Sequence, residues 1–80
     1  MENRRDQRKR TFIGAKILLN DGASVMDCLV RDLSDGGARL ALDGAATVPG
    51  EFGLALSDGR SFQCTVQWRT LTGLGVRFLL

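Results

Sequence analysis

The chain has 80 residues, a net charge of +2, 44% hydrophobic and 25% charged side chains, ten glycines, two cysteines and no histidine. A single domain of this size buries only about 60–65% of the surface its unfolded form exposes, so its core must be simple. The missing histidines remove the commonest general base and metal ligand, and Cys28 and Cys64 have no metal-ligand spacing. Zinc, Ser-His chemistry and any cofactor are therefore not expected.

The first ten residues form an arm in which Arg4, Arg5, Arg8, Lys9 and Arg10 stand against Glu2 and Asp6, while the other seventy carry six basic and seven acidic side chains. All of the net positive charge sits in that arm, which attracts phosphate. No stretch approaches the roughly 20 apolar residues of a membrane-spanning helix, and residues 1–10 are charged without an apolar h-region. The expected compartment is the cytoplasm, with reduced thiols.

From Thr11 onward apolar residues alternate, as half-buried strands require. Ile13, Ala15, Ile17 and Leu19 share one face of a first strand, and Asn20-Asp21-Gly22 supplies hairpin-turn chemistry. Met26, Cys28 and Val30 form a second strand that runs out at Asp32, and Ala38, Leu40 and Leu42 form a third. Asp43 to Gly50 is a connection with a Pro49-Gly50 turn, after which Phe52, Leu54 and Leu56 give a fourth strand and Ser57-Asp58-Gly59-Arg60 a second hairpin turn. Phe62, Cys64, Val66 and Trp68 alternate most clearly, and Leu74, Val76, Phe78 and Leu80 close the chain. Six short strands with no helix predict an all-β fold, a small antiparallel barrel whose closure removes exposed edges. The expected division is an arm at 1–10 and a barrel at 11–80. Trp68 is expected in the core, and Cys28 and Cys64 as inert buried thiols.

Two segments could carry chemistry. Arg4 and Arg8 are four apart, and an extended arm places both on one side. An arginine fork binds phosphate bidentately and also meets or stacks on guanine. Taken alone, such a terminus is a solvated tail. In Asp32-Leu33-Ser34-Asp35-Gly36-Gly37 the Asp32 carboxylate can accept from the N1 and N2 donors of guanine, Ser34 adds a hydroxyl, and Gly36 and Gly37 permit positive φ and close backbone approach. Taken alone, this is an ordinary Asx-type turn.

Together the segments resemble the PilZ domain family of bacterial cyclic di-GMP receptors, whose marks are Arg-x-x-x-Arg before the first strand and (Asp/Asn)-x-Ser-x-x-Gly between the second and third. Here these are Arg4 to Arg8 and Asp32, Ser34 and Gly37, and the ending Val66-Gln67-Trp68 … Gly75-Val76-Arg77-Phe78 is similar to the family's last two strands. The resemblance implies a six-stranded barrel, here with little or no C-terminal helix. It also implies a cyclic di-GMP site in which Arg4 and Arg8 hold phosphate and guanine, Asp32 and Ser34 read the guanine edge, and Gly37 permits the turn. Arg5 is an accessory contact and Arg39 a weaker one.

The expected activity is ligand reception rather than catalysis. The doubly anionic ligand would order the arm against the barrel mouth and change the surface shown to a separate protein partner or to a second copy. The alternatives are a PilZ-like interaction module that works without ligand and, less favoured, a small nucleic-acid-binding barrel, which calls for exposed aromatics and spread basic residues.

Overall fold

The structure is a computed structural model that describes residues 9–79. Period-two alternation builds six strands: β1 (Lys9–Leu19), β2 (Ser24–Leu33), β3 (Gly37–Ala41), β4 (Glu51–Leu56), β5 (Ser61–Arg69) and β6 (Gly73–Leu79). All neighbours are antiparallel, and the sheet closes in the order β1-β2-β3-β6-β5-β4, with β4 returning to β1. The expected six-stranded antiparallel barrel is therefore the observed fold, and the described residues contain no α-helix. β1 starts at Lys9, so Lys9 and Arg10 are strand residues rather than part of an arm; Leu80 lies outside the described residues.

The turns follow their local chemistry. Asn20–Gly22 forms one 3-10 turn, with Asn20 at φ 50° and Gly22 at φ 90°, and Gly59 takes φ 100° in the β4–β5 hairpin. A second 3-10 turn, Ala45–Thr47, follows Gly44 at φ 80° and lays Ala45 and Val48 into the core.

Inward-facing residues meet across strands: Ile17 opposite Leu54, Val30 opposite Leu40, and Leu40 opposite Leu74, all essentially without solvent contact. Each such burial contributes about 1.5–3 kcal/mol. The Phe62 and Phe78 rings stack at a centroid distance of 4.0 Å. Cys28 and Cys64 are buried and unbridged, as expected. Burial, reinforced by the Asp27 charge, pushes the Cys28 thiol up to about 11; burial, with Cys28 beside it, pushes Cys64 up to about 12.

Two irregularities position the site. In β2, Val30 pairs with Leu40 and Asp32 with Arg39, so Arg31 is an extra residue; in β5, Val66 pairs with Val76 and Trp68 with Gly75, so Gln67 is extra. Each is a β-bulge that slips the inward–outward alternation by one. Asp32 and Trp68, which continue the inward series of their strands in sequence, therefore face out. The slip in β5 brings Arg69 opposite the buried Leu74, where its Nη1 donates to the carbonyls of Ala45 (3.1 Å), Ala46 (3.2 Å) and Val48 (2.6 Å).

Candidate functional site on the outer wall of the barrel

The registers align one lateral row across five strands. Arg10 on β1 is opposite Asp32 on β2, which is opposite Arg39 on β3, then Gly75 on β6 and Trp68 on β5. Direct cross-strand partners share a face, so these residues lie together on the outside of the barrel. A parallel row runs from Gly37 through Arg77 to Thr65. Between the rows lies an open pocket of about 350 Å³ whose lining includes Asp32, Ser34, Gly37, Arg39, Trp68 and Arg77. It sits on the outer wall, where the two bulges turn Asp32 and Trp68 outward.

Asp32 is largely sheltered, with 15% of its side chain exposed, and its Oδ2 accepts from Arg39 Nε at 2.5 Å. Arg39, expected as a weaker ligand contact, is thus the direct neighbour of Asp32, expected to read the guanine edge. At the strand end the Ser34 N–H donates to the Gly37 carbonyl at 2.9 Å and the Ser34 hydroxyl to the same oxygen at 3.3 Å. The Phe78 N–H donates to the Gly36 carbonyl at 2.8 Å, tying the turn to β6.

Of the two freedoms expected of Gly36 and Gly37, neither residue uses positive φ. Gly37 does need close backbone approach, to a neighbouring strand: a Cβ there would collide with the Val76 carbonyl of β6. Gly36 has open space around it. A core position for Trp68 is overturned as well. The residue is 47% exposed, and its indole lies where a Cβ on Gly75 would be, so the bare glycine is the seat of the ring.

The structure thus brings Asp32, Ser34, Gly37 and Arg39 into one pocket; Arg4, Arg5 and Arg8 lie outside the described residues. Sequence reasoning assigned no site role to Arg77 or Gln67. For Arg77 a signal existed: Leu74, Val76 and Phe78 point inward, so Arg77 must point out.

Among the described residues no group of three or more potential metal-ligating side chains comes together, and no helix is long and apolar enough to cross a membrane. Barrel and wall pocket together define a β-barrel binding module. A family model, the PilZ domain, matches residues 2–80, essentially the whole chain. The chain belongs to the PilZ domain family, a family of cyclic di-GMP-binding receptors that bind and adapt rather than catalyse. No curated protein matches it.

Proposed function

We propose that this protein is a cyclic di-GMP receptor of the cytoplasm whose wall pocket takes the ligand while Arg4, Arg5 and Arg8 close over it from the N-terminal side. The observation that carries this reading is the outer-wall row, in which a sheltered carboxylate stands opposite Arg10, where the chain enters the barrel, and the exposed Trp68 closes the far end. A carboxylate has about four lone-pair sites, so a guanine N1–H and N2–H edge can share Asp32 with Arg39. The exposed Trp68 face offers a base a stacking surface, a contact typically worth about 1–3 kcal/mol. A sheltered carboxylate that can accept from a guanine edge is of no use to a binder of phosphate backbone alone, which favours the cyclic dinucleotide over the nucleic-acid reading.

Neutralisation of the arm by two phosphates orders it against the wall, and the ordered surface is read by a protein partner or by a second copy. Calorimetric titration with cyclic di-GMP, beside cyclic GMP, GTP and the Arg8→Ala variant, tests this. Selective micromolar or tighter binding is expected, weakened roughly ten- to a hundredfold in Arg8→Ala by loss of a charge-assisted contact. A folded protein that ignores cyclic di-GMP would instead be a ligand-independent interaction module. Amide exchange of residues 1–10 that is unchanged at saturation would refute ordering of the arm.

A further inference from the structure

Two arginines of the barrel body, Arg39 and Arg77, line the wall pocket, and their surroundings differ. Arg39 holds the Asp32 carboxylate through a 2.5 Å contact, so the pair is neutral overall and Arg39 fixes where the acceptor oxygens point. Arg77 makes no ion pair with any described residue. Its cross-strand neighbours are Gly37, which has no side chain, and Thr65, which is uncharged. It lies two residues from Gly75 on the same face, and it lines the same pocket as Trp68, whose ring runs from Gly75 toward Gly73. An outward cation that makes no ion pair with a described residue, and that faces the bare backbone of Gly37, can attract an anion.

We infer that the two residues divide the recognition of a cyclic dinucleotide. Arg77 is the barrel's own phosphate contact, and Arg39 is a positioning residue that acts on the guanine through Asp32. This rests on the cyclic di-GMP reading above. It means that the wall holds the phosphate independently of the arm, while selectivity for the base depends on an arginine that need not touch the ligand.

Arg77→Gln and Arg39→Gln remove the same charge, so each controls for the long-range electrostatic effect of the other. Both are titrated calorimetrically with cyclic di-GMP and with cyclic di-IMP, which has the same phosphates but lacks the guanine 2-amino group. Arg77→Gln is expected to weaken both ligands by the same factor, roughly tenfold or more, with the ratio of their affinities kept. Arg77→Lys should recover much of the loss, because a phosphate accepts an ammonium as well; it also guards against a folding defect in the glutamine variant. Arg39→Gln is expected to bring the two affinities together, chiefly by weakening cyclic di-GMP. Wild-type affinity in Arg77→Gln, or an unchanged ratio in Arg39→Gln, would overturn the division. A wild-type protein that binds neither dinucleotide would overturn the cyclic di-GMP reading and this inference with it.

Discussion

Replacing Gly37 by alanine tests whether the glycine of the Asp-x-Ser-x-x-Gly segment serves strand packing or turn geometry. A methyl group at this position meets the backbone carbonyl of Val76, which cannot swing aside as a side-chain end would, so β3 and β6 must part where Gly37 faces Arg77. Overpacking of this kind costs about 1–3 kcal/mol. The Phe78 N–H to Gly36 carbonyl bond at 2.8 Å lies beside the contact, and its weakening adds up to about 1 kcal/mol. The expected loss is about 1–4 kcal/mol from a total of roughly 4–12 for a chain of this length. At about 4–8 °C per kcal/mol, Tm should fall by at least about 4 °C. Circular dichroism during urea and thermal unfolding reads both quantities. Gly36→Ala is the control: its methyl group enters open space at an ordinary φ, so it should stay within about 0.5 kcal/mol of wild type. Equal damage from the two substitutions would show that the turn, not the strand contact, demands glycine; a harmless Gly37→Ala would refute the reasoning altogether.

Gly75→Ala should displace the Trp68 ring from its seat, red-shift its fluorescence and weaken binding of cyclic di-GMP. Arg69→Ala removes three bonds to the Ala45, Ala46 and Val48 carbonyls; a loss of about 1–2 kcal/mol is expected in urea unfolding, with faster amide exchange across 43–50 and only partial rescue by Arg69→Lys. Cys28 and Cys64 should resist thiol reagents at pH 8 in the native state and react in urea. Their folded pKa values are raised to about 11 and about 12, so the folded state keeps protons that the unfolded state releases from about pH 8.5. Stability should therefore be undiminished by the thiols below that pH and fall between about pH 9 and 11, and the fall should be smaller in a Cys28→Ala/Cys64→Ala double variant.

The strands were legible because a half-buried strand writes its two faces into adjacent residues, as Phe62 to Val66 do, and because turns such as Asp58-Gly59 carry their own chemistry. What escaped depends on pairing. A bulge is a mismatch between two strands, and nothing local at Arg31 or Gln67 distinguishes it. Simple alternation therefore sends Trp68 into the core and leaves Asp32 merely at the end of a strand. The role of Gly37 depends on how near β6 comes, and the closeness of Arg39 to Asp32 on the register that the Arg31 bulge creates. Both motif segments were visible as residue patterns, whereas the Trp68, Gly75 and Arg77 side of the pocket exists only once β5, β6 and β3 are aligned.

The bulge at Gln67 makes that alignment testable through deletions. Without Gln67, Val66 and Trp68 become successive residues opposite Val76 and Gly75, which is a regular antiparallel register with valine in and tryptophan out. The deletion should therefore keep the barrel, cost no more than about 1 kcal/mol in bulge-specific contacts, and disturb mainly the local twist and the ligand pocket. Deleting Thr65, two residues away, has no such escape. If the bulge absorbs the missing residue, Val66 turns outward and the Gln67 amide turns inward, losing part of a valine burial of about 1.5–3 kcal/mol and adding about 1–3 kcal/mol for an unpaired buried amide. If the bulge persists instead, Cys64 and Phe62 must leave the core. Urea unfolding followed by circular dichroism should place the Thr65 deletion several kcal/mol below the Gln67 deletion, and only the latter should keep a thermal midpoint within about 8 °C of wild type. Equal damage from the two would mean that the outward setting of Trp68 does not come from an extra residue in β5, and that the wall row needs another cause.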